Sequence, residues 1–378
     1  MFPKFRDSVV RILMKKIIIA GGGTGGHIYP GICIARQLIS QNEYTPVFII
    51  KKKDRAINLL NKEGFQYHEI NISGLPRKPS IAHIKFLFNL FISLFQTIYL
   101  LLKIRPAYSF GLGGYISFPV IFMSWLFRVP TIIHEQNYIP GLTTKILSRF
   151  CSKVAISFPQ TKQYLKNKQV VLAGNPVREE IRTISRDDAY SVIERLSNKK
   201  PDKSKFTVLV FGGSQGAAGI NRVLPDTLRR LNCKDKVQVI HITGEKEFDS
   251  ISAQYNEIAG ITVIIFPYLE NIAAAYSIAD LVICRSGATT ISELIAVSKP
   301  AILIPFPYAT ENHQKFNALY LGDAGAAEVL EEKDMTSGKL AGLISDLAAS
   351  TQLLDKMKSA YKQLPFINTS KFVQTIFL

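Results

Sequence analysis

Two doubly wound, Rossmann-like α/β domains facing each other across a cleft are what this sequence predicts, on three observations. Short apolar strands alternate with helical stretches along most of the chain, the pattern of parallel sheets. A glycine-rich turn follows a strand directly at two places, residues 21–26 and 212–216, and Gly22 to Gly212 is 190 residues by subtraction. With 378 residues, 47% hydrophobic and 20% charged, the chain has the length of about two or three domains and a composition that folds.

The first strand, 16–20, is Lys16 followed by Ile17, Ile18, Ile19 and Ala20. Glycines follow at once, and a helical pattern runs on through Leu38. A second strand is expected at 47–50, and others at 108–110, 131–133, 154–156 and 170–172. Residues 185–205 are polar and charged and read as a helix and loop. The series then restarts with a strand at 206–211 that runs into the second glycine turn, and with strands at 237–242, 262–266, 281–284 and 301–304. These readings place an N-terminal extension at 1–13, a first domain at 14–175, a second at 176–350, and at 351–378 a C-terminal helix returning to the first. The linker is expected near Asn175-Pro176-Val177-Arg178. Ligands in such sheets bind beyond the carboxyl ends of the strands, which puts the expected site in the cleft.

Lysine and arginine number 46 against 29 acidic residues, a formal charge of +17. So basic a chain suits an anionic partner: nucleic acid, anionic lipid or a phosphorylated substrate. The four cysteines, Cys33, Cys151, Cys233 and Cys284, form no C-x-x-C pair, so neither a disulfide framework nor a zinc site is expected. Residues 1–13 lack the apolar run of a signal peptide. Between 86 and 102, thirteen of seventeen residues are apolar; the exceptions, Asn89, Ser93, Gln96 and Thr97, fall on one helical face. Arg77, Lys78, Lys85, Lys103 and Arg105 flank the run. Three readings stay open: a buried helix of the first domain, a helix docked on anionic lipid, and a membrane span.

Several constellations carry chemistry. The first turn, GGGTGGH at 21–27, satisfies G-x-G-x-x-G, and its amides with the following helix start suit an anion. Lys51-Lys52-Lys53 stands where a dinucleotide site has an acidic residue, which disfavours NAD but not NADP. His27, at the mouth of the turn, can take a proton near neutral pH. The second turn, GGSQG at 212–216, repeats the device, with Ser214 offering a hydroxyl to a phosphate. CRSGATTISE at 284–293 again runs strand, turn, helix; Thr289 and Thr290 lie where hydroxyls cap or meet phosphate, and Glu293 can accept from ribose hydroxyls or complete a capping box. HEQN at 134–137 is polar at a strand end, and ENHQ at 311–314 offers amides suited to sugar hydroxyls. No D-x-D, H-E-x-x-H, P-loop or nucleic-acid-binding pattern occurs.

Seven motifs then follow in order: GGGTGGHIYPG at 21–31, FGLGGYISFP at 110–119, HEQNYIPGLTTK at 134–145, AGNPVR at 173–178, FGGSQGA at 211–217, ADLVICRSGATTISE at 279–293 and PFPYATENHQKFNA at 305–318. Together they resemble the MurG family of peptidoglycan N-acetylglucosaminyltransferases, glycosyltransferase family 28 with the GT-B fold, over nearly the whole chain from Met14. The resemblance implies inverting transfer of N-acetylglucosamine from UDP-N-acetylglucosamine to the C4 hydroxyl of undecaprenyl-diphosphate-linked N-acetylmuramyl-pentapeptide, lipid I, giving lipid II. It implies no cofactor and no metal. Carried over residue by residue, Thr24, Gly25 and Gly26 meet the donor sugar and acceptor diphosphate; Asn137 and Gln314 meet the donor sugar; Arg178 and Ser214 meet the donor. Leu269, where the family often has isoleucine, reads uracil through its backbone. Ala288, Thr289, Thr290, Ile291, Ser292 and Glu293 wrap the diphosphate and ribose. His27 matches the catalytic base, with His134 and Glu135 as weaker candidates, and Arg178 or Arg285 would steady the departing charge. The implied setting is the cytoplasmic side of the inner membrane, held peripherally on anionic phospholipid by the 86–102 helix, alongside other cell-wall synthesis proteins and without nucleic acid. A GT-B diacylglycerol glycosyltransferase, an NADP oxidoreductase and a non-enzymatic membrane- or RNA-binding protein are the alternatives.

Overall fold

The computed structural model describes residues 15–377 other than 24, 43, 77–81, 168, 214 and 215. The expected extension 1–13, the site residues Thr24 and Ser214, and the basic residues Arg77 and Lys78 lie outside the described residues. The chain divides into two compact units. One is the chain up to Val177 together with the stretch from Ile367; the other is Arg178–Phe366.

The first unit holds seven parallel strands: β1 Lys15–Ala20, β2 Tyr44–Lys51, β3 Gln66–Ile70, β4 Tyr108–Gly111, β5 Thr131–Glu135, β6 Lys153–Ile156 and β7 Val170–Leu172. Their order is β3-β2-β1-β4-β5-β6-β7. The second unit holds six: β8 Phe206–Phe211, β9 Val237–Ile242, β10 Thr262–Phe266, β11 Leu281–Cys284, β12 Ala301–Leu303 and β13 Ala327–Val329, in the order β10-β9-β8-β11-β12-β13. Both sheets reverse direction of winding beside their first strand, between β1 and β4 and between β8 and β11. A crevice opens beyond the carboxyl ends of strands at such a point. Each glycine turn follows a strand that borders it.

Burial on both faces explains why the central strands are apolar without alternation. In β1, Ile17 and Ile19 pack with Ile28, Ile32, Phe48 and Phe372, whereas Ile18 and Ala20 pack on the opposite face with Val47, Leu101, Val120 and Met123. The helix Thr369–Phe377 adds Phe372, Val373, Ile376 and Phe377 to the first core. At about 1.5–3 kcal/mol per fully buried side chain, these four contribute roughly 6–12 kcal/mol before the entropy of ordering. Lys153 Nζ donates to the carbonyls of Thr375 (3.3 Å) and Ile376 (3.0 Å), a cation at the helix end where orphan carbonyls face outward.

Two features differ from the sequence expectation, and a third narrows the readings it left open. The 351–378 segment does not return as a whole: the helix Thr351–Ala360 buries Leu354 and Met357 in the core of the second unit, and the chain rejoins the first only from Ile367. Strands β3 and β13 were not expected. Third, the apolar run is a helix, Ala82–Ile104, whose polar edge faces the body of the first unit. Ser93 and Thr97 are buried and bond the carbonyls of Leu90 and Ser93 (2.6 and 2.7 Å). Gln96 Oε1 accepts from the Asn71 amide (2.8 Å), and Asn89 Nδ2 donates to Ser73 Oγ (3.4 Å). Leu100, Leu101 and Ile104 join the core. Ile84, Leu87, Phe88, Phe91, Phe95, Tyr99 and Leu102 face outward, each at least 56% exposed. A core helix carries its apolar stripe inward; this one carries a second stripe outward, which displaces the buried-helix reading.

Candidate active site

In the first unit the chain leaves β1 through Gly21, Gly22 and Gly23 and enters the helix Gly25–Ser40, whose first turn holds Gly25, Gly26 and His27 and no acidic residue. The turn is fixed from β2. Asp54 Oδ1, on a buried side chain, accepts from the Gly23 amide (3.0 Å) and the Ala56 amide (2.9 Å). An acid does therefore stand near the end of β2, one residue after the three lysines, but it binds the glycine turn itself.

His27 is half-buried. Its neighbour is the turn after β4, where Gly113 and Gly114 adopt φ of +80° and +68°, a conformation that side chains resist. A Cβ on Gly114 would lie 3.8 Å from His27 Nε2. Ser117 Oγ ties the two strand ends together, bonding the Ala20 carbonyl (3.1 Å) and the Gly113 carbonyl (2.7 Å). From the end of β5, Gln136 Oε1 lies 3.2 Å from His27 Nδ1. Gln136 Nε2 lies 2.9 Å from the Leu112 carbonyl and 3.2 Å from His134 Nδ1. His134 Nε2 lies 2.9 Å from the Gly174 carbonyl, with Ser157 Oγ at 3.2 Å.

A base must reach the proton it takes. His134 is wholly buried, with both ring nitrogens engaged inside the chain, and burial holds it neutral, at about 4. Glu135 is buried as well, which raises its pKa, and its oxygens accept from the Asn137 amide and side chain (3.0 and 3.3 Å) and the Gly141 amide (3.1 Å). Both expected secondary bases thus serve the fold of this corner: His134 stands behind Gln136, and Glu135 shapes the 136–141 loop that carries Asn137. Of the three candidates, His27 alone is not fully buried.

In the second unit the turn after β8 leads into the helix Ala218–Arg230. Gly216, at φ +78°, leaves no room for a Cβ against the Thr243 carbonyl. Across the reversal point, β11 ends at Cys284 and the helix Ala288–Val297 begins, with Gly287 as its cap, no side-chain capping bond and no acidic residue in the first turn. Thr289 and Thr290 are half-buried there, whereas Ile291 enters the core and Ser292 Oγ bonds the Ala288 carbonyl (2.9 Å). Glu293 is buried: Oε1 pairs with Arg178 Nη2 (3.1 Å) and Oε2 accepts from Tyr276 OH (3.2 Å). Each carboxylate oxygen has a second lone pair beyond these contacts. Burial and the nearby Glu293 charge push the Tyr276 phenol upward, so it remains a donor. Arg285 is spent internally, on the carbonyls of Ile304 and Pro305 (both 3.2 Å) and on Glu332. Gln314 Oε1 accepts from the Phe306 amide (3.0 Å), after Glu311 and Asn312 in left-handed conformations (φ +51° and +53°). The Leu269 side chain is buried.

Sequence reasoning missed Asp54, Tyr276 and the part played by Gln136. Each acts through a partner distant in sequence, so no local pattern marks it.

The glycosyltransferase family 28 N-terminal domain matches residues 17–156 and the glycosyltransferase family 28 C-terminal domain matches 207–372. The UDP-N-acetylglucosamine–N-acetylmuramyl-(pentapeptide) pyrophosphoryl-undecaprenol N-acetylglucosamine transferase of Elusimicrobium minutum is 37% identical over 365 residues, covering 96% of this chain and 98% of that protein. The transferase of the same name from Thermoanaerobacter sp. is 38% identical over 362 residues, 94% and 97% of the two chains. Among solved structures, Acinetobacter baumannii MurG matches with a TM-score of 0.75 at 28% identity, over 96% of this chain and 99% of that one. A UDP-N-acetylglucosamine 2-epimerase from Listeria monocytogenes, at 11% identity and a TM-score of 0.64, shares the fold alone. With both domain matches and full-length relatives above 35% identity, this chain, built of two Rossmann-like GT-B domains, belongs to glycosyltransferase family 28 and is a glycosyltransferase.

Proposed function

We propose that the protein transfers N-acetylglucosamine from UDP-N-acetylglucosamine to the C4 hydroxyl of N-acetylmuramyl-pentapeptide on undecaprenyl diphosphate, with inversion, and that His27 is the base. The observation that carries this reading is the half-buried His27 at the reversal point of the first sheet, in a chain collinear with relatives of that name. As the C4 oxygen attacks the anomeric carbon, the hydroxyl proton passes to His27 and the anomeric C–O bond to UDP breaks, its electron pair staying on the diphosphate. In the second unit, the amides of the turn at 212–216, with Ser214, and the start of the helix Ala288–Val297, with Thr289 and Thr290, receive that charge. Glu293 holds the ribose, the Leu269 backbone the uracil, and Arg178 the donor. Gln314 and Asn137 hold the sugar, and Thr24, Gly25 and Gly26 meet the sugar and the acceptor diphosphate. Given UDP-N-acetylglucosamine with lipid I and diacylglycerol together, the protein should add N-acetylhexosamine to lipid I by mass spectrometry; glycosylated diacylglycerol would favour the other acceptor.

The outward stripe of the Ala82–Ile104 helix supplies the membrane contact in this reading. From Ile84 to Leu102 it runs roughly 27 Å at 1.5 Å per residue. Exposed Lys85, Lys103 and Arg105 stand near its two ends, a pattern suited to an anionic lipid surface with the helix lying in the interface plane. An apolar patch of this extent marks an interaction site.

A further inference from the structure

Two backbone carbonyls determine where the proton sits on His27. A carbonyl only accepts, so the Gly174 oxygen, 2.9 Å from His134 Nε2, requires a proton on that nitrogen. His134 is sealed from water and neutral, so its Nδ1 carries a lone pair. The Leu112 oxygen, 2.9 Å from Gln136, likewise requires the amide nitrogen of Gln136 on its side. That nitrogen has a second hydrogen, directed at the His134 Nδ1 lone pair 3.2 Å away. Both donors of Gln136 are then used, and its oxygen, which only accepts, faces His27 Nδ1 at 3.2 Å. The hydrogen in that contact must come from His27.

We infer that Gln136 is a positioning residue which, backed by His134 and the carbonyls of Leu112 and Gly174, keeps the His27 proton on Nδ1 and so presents Nε2 as the basic nitrogen. As an account of catalysis this rests on His27 being the base; as an account of the tautomer it does not. The hydrogen bond made by one imidazole nitrogen decides the protonation of the other. Here a neutral amide does the orienting: it turns the ring and chooses its tautomer. When Nε2 takes the acceptor proton, Nδ1–H continues to donate to Gln136, and nothing else in the chain has to move a proton.

The test is 15N NMR of the histidine-labelled full chain above the histidine titration range, with His27 assigned from the His27→Gln spectrum. In the unaltered protein, His27 is expected with Nδ1 protonated and Nε2 bare. In Gln136→Met, which keeps the volume and removes both polar groups, the resonances should move away from that pattern. Its kcat should fall about 10- to 100-fold, the usual scale for an orienting partner, with the KM for UDP-N-acetylglucosamine nearly unchanged. His27 carrying its proton on Nε2 in the unaltered protein would overturn the inference, as would an unchanged tautomer in Gln136→Met. The base reading fails separately, if His27→Gln transfers sugar at the normal rate. The tautomer measurement on the unaltered chain depends on no variant folding.

Discussion

Replacing Phe88, Phe91 and Phe95 together with serine should detach the protein from anionic vesicles. The three rings are 64%, 60% and 56% exposed, so more than half of each surface is still available for burial in a lipid interface. Full burial of such a side chain is worth about 1.5–3 kcal/mol, which leaves roughly 1–2 kcal/mol for each ring and about 3–5 kcal/mol for the three. At 1.4 kcal/mol per tenfold, the partition coefficient should fall by a factor on the order of 10²–10⁴. Lys85, Lys103 and Arg105 remain, each worth about 1 kcal/mol near an anionic surface, so residual binding should be abolished by salt. The assay is co-sedimentation with phosphatidylglycerol vesicles across protein-free lipid titrations, at low and high salt. None of the three rings lies in a core, so the thermal midpoint should hold and separate detachment from unfolding. Binding that is unchanged in the triple variant would refute the docking face, and so would binding of the unaltered protein that high salt alone abolishes.

Further outcomes follow from the two sites. His27→Ala should lower kcat by about 10²–10⁴ with the donor KM nearly kept, read by steady-state kinetics; normal turnover would remove His27 from the mechanism. Glu293→Ala should weaken UDP about 10- to 100-fold by calorimetry, and should lower the thermal midpoint because Arg178 and Tyr276 lose their shared acceptor; unaltered affinity would refute the ribose role. Burial depresses His134 to about 4 and His241 to about 3, below the ordinary 6.5. The unfolded chain therefore binds protons that the folded chain refuses: this stability is complete above pH 6.5 and is lost as pH falls toward 4 for His134 and toward 3 for His241. Unfolding midpoints should decline through that window, and a flat profile would contradict neutral buried histidines.

Much of the fold was legible because its signals are local. Strands such as β1 and β11 are covered on both faces and read as short apolar runs, and the glycine turns stand directly after them. β3, Gln-Tyr-His-Glu-Ile, is a half-exposed edge strand, and β13 is three residues long; neither carries enough apolar residues to stand out. Helical periodicity gave the polar stripe Asn89, Ser93, Gln96 and Thr97 its common face, but periodicity cannot say which face meets the body. That depended on Asn71 and Ser73 supplying partners for it. The site divides the same way. His27, the glycine turns and Glu293 sit in dense motifs, whereas Asp54 acts on Gly23 across 31 residues and Gln136 on His27 across 109. His134 looked like a second base because its chemistry is right; only its burial, behind Gln136, sets it apart from His27.

The most direct measurement follows radiolabel from UDP-N-acetylglucosamine into purified lipid I in the presence of the unaltered protein and a metal chelator, since the sequence carries no D-x-D motif to bridge a metal to the diphosphate. Label moving into the lipid fraction as lipid II, with one UDP released per sugar transferred, is the expected result. UDP released without labelled lipid, or transfer that returns only on adding a divalent cation, would contradict a main-chain-amide site for the leaving group.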